Sequence, residues 1–190
     1  MSFIEPSAIE VAVNPFLNRT LLAPYHNALV RRLTLRGGEN VLDYGSGCGV
    51  LSAKIARAVQ PGGRLACVDI SRLWLETARK ELRRYAHVSF YLGEIGALGL
   101  ESASFDLVFM HFVLHDLPAA ERLPVIQTLA GLLKPGGALF LREPVNPSHG
   151  MPAAEIQFLM RRAGLQQAEC AQEKIALIGE VTTGRFAVAS

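Results

Sequence analysis

The sequence predicts one doubly wound α/β domain with a mostly parallel sheet, and three observations lead to this fold class. Short apolar runs alternate with amphipathic helical patterns along most of the chain. These runs are continuous rather than alternating, which is typical of strands that helices cover on both faces. The last two apolar stretches, at about 173–178 and 185–189, predict an antiparallel hairpin. A helical segment of about 36 residues precedes this α/β part.

The predicted elements follow one another without an internal repeat or an interdomain linker. Strands are predicted at Val41–Asp43, Arg64–Asp69, Val88–Leu92, Ser104–Met110 and Ala138–Arg142. Helices are predicted at about Gly49–Gln60, Ser71–Tyr85, Pro118–Leu133 and Pro152–Ala163. Pro61 and two glycines stop the first helix, Ser71 can cap the second, and Pro118 opens the third.

Composition limits the chain to one domain and excludes several function classes. Its 190 residues, half of them hydrophobic, can bury one core but hardly two. The formal net charge of +2 is too small to indicate a nucleic-acid footprint. No apolar run approaches the roughly 20 residues of a transmembrane helix. Glu5 and Glu10 precede any basic residue, which argues against a signal or transit peptide, so we expect a cytoplasmic protein.

The three cysteines predict neither a disulfide framework nor a metal site. Cys48, Cys67 and Cys170 are scattered, odd in number and without a C-x-x-C pair. Cys48 is expected to be a packing residue rather than a nucleophile. No metal site is expected anywhere in the chain.

The run from Val41 to Gly49 is the most informative stretch of the sequence. A buried strand ends in the carboxylate of Asp43, glycines follow at positions 45, 47 and 49, and an amphipathic helix comes next. Glycine has no Cβ, so the backbone of such a turn can press against a bulky ligand. Val50 stands where the dinucleotide fingerprint G-x-G-x-x-G requires glycine, which disfavours an NAD-linked oxidoreductase.

The glycine turn and five further features in order, from about Val41 to Ser190, resemble those of one known family. The glycine turn is similar to motif I of the class I S-adenosylmethionine (SAM) methyltransferases, and the chain resembles small members of the UbiE, or type 11, group. The other matching features are Asp69, Gly93–Ile95, Phe105–Leu117, Leu132–Gly137 and the final hairpin. The resemblance implies a Rossmann-like sheet of strand order 3-2-1-4-5-7-6. It also implies an N-terminal helical arm or lid at 1–36 and a SAM-binding methyltransferase domain at 37–190, in a chain that forms a single domain overall.

The resemblance implies S-adenosyl-L-methionine as cofactor and S-adenosyl-L-homocysteine as its product. Asp69 would accept hydrogen bonds from both ribose hydroxyls. Asp43 would accept from the ammonium group of the cofactor, directly or through water, or would only cap the following helix. Glu94 stands where the family often has Asp, one methylene shorter. The residues implied to bind the cofactor are Asp43, Tyr44, Gly45, Ser46, Gly47, Asp69, Ile70, Glu94, Ile95, Met110 and His111.

Methyl transfer is a displacement that needs in-line approach, so positioning can supply much of its acceleration. Imidazole titrates close to neutral pH, which makes histidine the natural general base. The catalytic candidates are His111, His115 and Tyr25, with His26 and His149 as further candidates. The alternative for His111 is a backbone contact to the cofactor alone, and Asp116 is a candidate cap for the helix that opens at Pro118.

The arm carries an apolar stripe between Pro15 and Leu35, with arginines beside it and Pro24 interrupting it. The flanking arginines are Arg19, Arg31, Arg32 and Arg36. We expect this segment to be a lid packed over the cofactor. The other interpretation is an interfacial helix that reaches a lipid headgroup, and it requires the apolar face to be exposed in the free protein.

The sequence therefore predicts a SAM-dependent methyltransferase that acts on a small-molecule or lipid-like acceptor. The exit of the fourth strand lacks the Asn/Asp-Pro-Pro-Tyr/Phe run that holds a flipped nucleobase, so nucleic acid is not an expected partner. The second hypothesis is a non-catalytic SAM-binding or assembly module on the same fold. A homodimer and a peripheral membrane contact remain open as partners.

Overall fold

The computed structural model of the protein describes residues 5–146, 150–176 and 178–188. The helices are α1 (Ala8–Arg19), α2 (Ala23–Arg32), α3 (Val50–Ala58), α4 (Arg72–Leu82), α5 (Ala119–Leu132) and α6 (Ala153–Arg162). The strands are β1 (Asn40–Tyr44), β2 (Arg64–Asp69), β3 (Val88–Leu92), β4 (Phe105–His111), β5 (Leu133–Pro144), β6 (Leu165–Ile175) and β7 (Gly179–Val188). The strand order is β3-β2-β1-β4-β5-β7-β6, which confirms the predicted order. The chain forms two compact units, Met1–Leu98 and Gly99–Ser190.

The first unit is built on the parallel strands β1, β2 and β3 with helices α3 and α4. β2 lies between the other two, with Leu65 paired to both Val41 and Val88. The continuous apolar runs arise because both faces are covered, and the side chains of β1 and β2 are almost all buried. Ser71 caps α4 as predicted, since its Oγ accepts from the amide of Trp74 at 3.1 Å.

The arm of the first unit consists of α1 and α2, and α1 lies side by side with α4 in the same direction. Glu5, just before α1, accepts hydrogen bonds from the hydroxyl of Ser71 and the amide of Arg72 at the start of α4. Arg19, at the end of α1, forms an ion pair with Glu81 at the end of α4. Because the two starts meet and the two ends meet, the helices are parallel. The function of this arm as a lid stays a prediction.

The second unit contains the remaining strands, and its terminal hairpin is longer than the sequence predicts. β4 and β5 are parallel, whereas β5 pairs with β7 and β7 with β6 in the antiparallel sense. The predicted first strand of the hairpin, at about 173–178, is wrong at its start, because β6 begins at Leu165. β6 is the edge strand, and most of its side chains are exposed and polar, so no apolar run marks its first half.

β5 also differs from the predicted Ala138–Arg142 at both ends. Phe105 pairs with Leu133 and Leu107 with Ala138, so residues 134–137 bulge out of the ladder where the sequence predicts a turn. At its other end the strand continues to Pro144, because residues 143 and 144 pair with β7. This extension keeps Glu143 inside regular structure, with its side chain fully buried.

Candidate functional site

The glycine turn after β1 is held at the carboxyl end of β2. The amides of Gly45 and Ser46 both donate to the carbonyl oxygen of Val68, at 2.8 and 3.1 Å. Gly47 has a φ of +52°, and a Cβ added to it would meet no atom within 4 Å. The turn therefore presents bare backbone to open space. That room is what a nucleoside ligand such as SAM requires of a turn at the end of a parallel strand.

The carboxylate of Asp69 links this turn to the start of α4. One oxygen accepts from the amide of Gly47 at 2.8 Å, and the other accepts from the amide of Ser71 at 2.9 Å. Burial raises the pKa of Asp69, although these amide hydrogen bonds act in the opposite direction. The carbonyl of Asp69 also accepts from the amide of Gly93 at 3.0 Å, which fixes the segment that carries Glu94. The glycine turn and the segment that carries Glu94 are thus both bonded to one residue, Asp69.

Asp43 is buried at the end of β1 and bonds to a side chain of α3. Its carboxyl accepts from the hydroxyl of Ser52 at 2.6 Å. The alternative role as a helix cap is not what the structure shows, because the cap position of α3 is Gly49 and makes no side-chain cap bond. Burial raises the pKa of Asp43 to about 7, against the effect of the Ser52 bond. Its charge therefore changes close to neutral pH.

The other residues predicted to bind the cofactor differ in exposure. In the first unit Tyr44, Ser46 and Ile95 are buried, whereas Ile70, next to Asp69, exposes 39% of its surface. Glu94 is also exposed. In the second unit Met110 is fully buried in β4, and its neighbour His111 is half-buried. Their roles in cofactor binding stay predictions.

A buried glutamate and His115 form a dyad in the second unit. Oε2 of Glu143 lies 2.7 Å from Nδ1 of His115, and its Oε1 accepts from the amides of Val113 and Leu114 at 3.0 and 2.8 Å. The acceptor oxygen assigns the proton of the neutral imidazole to Nδ1, so Nε2 keeps its lone pair. Burial lowers the pKa of His115, but the hydrogen bond and the charge of Glu143 together raise it above the ordinary value.

The loop that carries His115 is fixed by further polar contacts. Arg122 donates to the backbone carbonyls of His115 and Leu117, at 3.2 and 3.0 Å, and forms an ion pair with Glu155 at 2.7 Å. Asp116 is mostly exposed, and its carboxylate lies 3.3 Å from Nε2 of His115. Its predicted role as a cap of α5 is wrong, because the cap position there is Pro118 and makes no side-chain bond.

The remaining catalytic candidates lie in different surroundings. The ring of His111 stacks on that of Phe112 with centroids 4.1 Å apart. In α2, the rings of Tyr25 and His26 are 5.4 Å apart, and burial lowers the pKa of His26 to about 4. His26 is therefore neutral at neutral pH. His149 lies outside the described residues, and catalytic roles for His111 and Tyr25 stay predictions.

Glu143 is the main site residue that sequence reasoning missed. The predicted strand ended one residue before it, which assigned it to a loop. The sequence does carry a signal for it, because Asp43 and Asp69 are also acids at the ends of apolar strands. The pattern of an acid directly after a buried strand would have identified all three.

Comparison with known proteins gives concordant matches. A family model described as a methyltransferase domain matches residues 41–137. The ubiquinone/menaquinone biosynthesis C-methyltransferase of Hahella chejuensis is 29% identical over 148 residues, which are 72% of this chain and 59% of that protein. The chain spans between 34% and 59% of the length of the first curated relatives it matches.

Two solved structures show the same fold. The N-methyltransferase NodS of Bradyrhizobium japonicum, in complex with S-adenosyl-L-homocysteine, matches with a TM-score of 0.74 and 21% identity over 88% of this chain and 87% of that one. A SAM-dependent methyltransferase of Aquifex aeolicus matches with a TM-score of 0.72 and 19% identity over 86% and 89%. With the glycine turn, Asp69 and the strand order in place, the chain belongs to the methyltransferase domain family, in the class I SAM-dependent group.

Proposed function

We propose that the chain is a catalytically active SAM-dependent methyltransferase that acts on a small-molecule or lipid-like acceptor. The observation that carries this proposal is the buried dyad of His115 and Glu143, in which Nδ1 of the imidazole lies 2.7 Å from Oε2 of the carboxylate. A module that only bound SAM would need Glu143 for the amides of Val113 and Leu114, but it would not need a histidine at the second carboxylate oxygen. The relatives named as quinone methyltransferases support an apolar acceptor.

The residues of the first unit fit the cofactor. Asp69 is placed to accept from ribose hydroxyls, and the bare backbone at Gly47 leaves room beside it. Asp43, whose carboxyl group titrates near neutral pH, would hold the ammonium group, and exposed Ile70 offers an apolar surface. When bound, SAM supplies an electrophilic methyl group.

The second unit supplies the proton chemistry. His115 takes a proton from the acceptor at Nε2 as the acceptor becomes nucleophilic. Glu143 holds Nδ1–H and stabilises the imidazolium that forms, so it acts as a positioning residue. Exposed Asp116, 3.3 Å from Nε2, adds a second negative charge beside that cation.

Transfer of a labelled methyl group tests this function. The full chain is incubated with methyl-labelled SAM and a panel of phenols, amines and short-chain demethylquinols, and the label is followed into the organic phase. We expect transfer to an apolar, ionisable acceptor and no transfer by the His115→Ala variant, which should still bind SAM in calorimetry. Binding of SAM without transfer to any acceptor would favour the passive module, and tight binding of NAD without SAM would contradict the cofactor assignment.

The pH dependence of SAM binding tests the role of Asp43. Its pKa of about 7 in the free protein means that a bound ammonium group must displace a proton at lower pH. We expect SAM affinity to fall on acidification below about pH 7, by up to about tenfold per pH unit. Calorimetry in two buffers of different ionisation enthalpy should show proton release near pH 6, roughly one unit below that pKa.

The Asp43→Asn variant is the control for this measurement. It keeps an oxygen acceptor for Ser52 but cannot ionise, so its affinity should be lower and independent of pH in the same range. An unchanged pH profile in this variant would show that another group titrates. Folding has the opposite dependence, because the raised pKa gives a contribution to stability that is complete below the unfolded value and is lost as pH rises through about 7.

A further inference from the structure

Helix α1 carries an apolar face that the first unit leaves in contact with solvent. It consists of Ile9, Val13, Phe16 and Leu17, and exposed Leu21 follows two residues after the helix ends. Ile9 exposes 75% of its surface and Phe16 65%, although large apolar side chains in the rest of the unit are mostly buried. The first four residues follow the i, i+4, i+7, i+8 spacing, so they share one side of the helix. Exposed Glu10 borders this apolar face in the first turn, and no charged residue lies between Val13 and Leu17.

The orientation of α1 explains why this side is exposed. Contacts at both ends, Glu5 with Ser71 and Arg19 with Glu81, hold α1 alongside α4. The helix also contacts α3, so it forms a second helical layer outside the first. The side that faces this layer is used for packing, and the apolar face of α1 lies away from it. The interpretation as an interfacial helix requires an exposed apolar face, and α1 has such a face within this unit.

The helix surface next to α1 is strongly basic. Lys80 precedes Glu81, and Arg84 follows it by one turn, so both flank the position where α4 meets Arg19. Both are exposed, and exposed Leu73 lies on the same line of α4. Among the described residues of α2, α3, α4 and the two arginines that follow α4, seven exposed charged side chains are basic and one is acidic. The exposed acids Glu5 and Glu10 lie at the start of α1, at the opposite end from Arg19, Lys80 and Arg84.

We propose that the apolar face of α1, with the basic end of α4 beside it, docks on the surface of an anionic lipid bilayer. Apolar side chains of a helix lying in the interface insert at the boundary of headgroups and acyl chains, while basic side chains approach the lipid phosphates. A second copy of the chain is a poorer occupant, because a symmetric pairing would bring two basic flanks together. This inference goes beyond the proposed function and does not depend on methyl transfer.

Sedimentation of the full chain with vesicles tests this inference, in the absence of SAM and of any acceptor. Vesicles of phosphatidylcholine alone are compared with vesicles that also contain phosphatidylglycerol. We expect binding to the anionic vesicles only, and we expect it to weaken as salt shortens the range of the charge interaction. Equal binding to both vesicle types, or binding to neither, would overturn the proposal.

Two sets of variants separate the apolar and the basic contributions. Phe16→Ser should weaken binding about tenfold or more, because a large apolar side chain no longer leaves water. Lys80→Ala and Arg84→Ala should each weaken it about fivefold. Phe158→Ser is the matched control, because Phe158 exposes 53% of its surface on α6 of the other unit and should not affect binding.

Sedimentation velocity of the free chain distinguishes docking on a bilayer from pairing with a second copy of the chain. If Phe16→Ser abolishes a concentration-dependent dimer and leaves vesicle binding unchanged, the face is an interface between copies and the proposal is wrong. If the chain is monomeric and Phe16→Ser reduces only vesicle binding, the proposal holds. Circular dichroism of each variant checks that the arm keeps its helical content.

Discussion

Replacing Glu143 with glutamine should remove most of the methyl transfer while SAM still binds. The glutamine amide cannot hold the proton of His115 Nδ1 as a carboxylate does, and it no longer stabilises the imidazolium. Loss of an oriented general base typically costs about 10²–10⁴ in rate. The measurement is kcat with a saturating acceptor beside the dissociation constant of SAM from calorimetry.

The pH profile of this variant separates positioning from a purely structural role. Glu143 raises the pKa of His115, so its replacement should move the acidic limb of the rate profile to lower pH. We also expect a loss of unfolding free energy of about 1.5–3 kcal/mol, because the carboxylate accepts from buried amides. Asp106→Asn is the matched control, since Asp106 is a half-exposed acid of the same unit paired with Lys134. A variant with wild-type kcat and an unshifted profile would remove Glu143 from the mechanism.

Replacing Asp69 with alanine should weaken SAM binding by about 1.5–3 kcal/mol, which is the usual value of hydrogen bonds to a charged group. The carboxylate is both the proposed partner of the ribose and the anchor of the turn through the amide of Gly47. Asp69→Asn keeps one oxygen acceptor and should lose less. Calorimetric titration with SAM and with S-adenosyl-L-homocysteine measures both variants, and normal binding by the alanine variant would show that the ribose assignment is wrong.

Two glycine variants show whether lost affinity comes from the ligand site or from a damaged turn. A methyl group on Gly47 would enter the open space proposed for the ligand, so Gly47→Ala should reduce SAM affinity. Its free energy of unfolding should fall only by the roughly 1–2 kcal/mol that an alanine costs in a left-handed backbone conformation. A methyl group on Gly49 would lie 2.8 Å from Cα of Ala78. Gly49→Ala should therefore lower the melting temperature clearly more than Gly47→Ala does.

The elements that could be predicted from the sequence are those that a short run of apolar residues marks. β2 and β3 have the predicted bounds, because β2 is apolar and almost fully buried, and β3, although partly exposed at the sheet edge, has apolar or aromatic side chains at four of its five positions. The glycine turn and Asp69 were also visible, since both belong to one local pattern. The first half of β6 was not visible, because an edge strand with exposed polar side chains looks like a loop.

The contacts that the sequence could not supply join residues far apart in the chain. Glu143 is 28 residues from His115, and Glu5 is 66 residues from Ser71. No spacing rule relates such pairs, because their meeting depends on strand order and on the length of β5. The sequence identified His115 as a candidate base, but only the fold shows which carboxylate orients it.

The bonds of Glu143 have a consequence for the comparison of relatives. One carboxylate holds both the backbone after β4 and the imidazole, so under the proposed mechanism a substitution at this position would damage folding and chemistry together. A descendant that lost its activity would still be selected to keep Glu143 for its fold, whereas His115 would be free to drift. Retention of His115 is therefore the feature that should separate active members of this lineage from inactive ones.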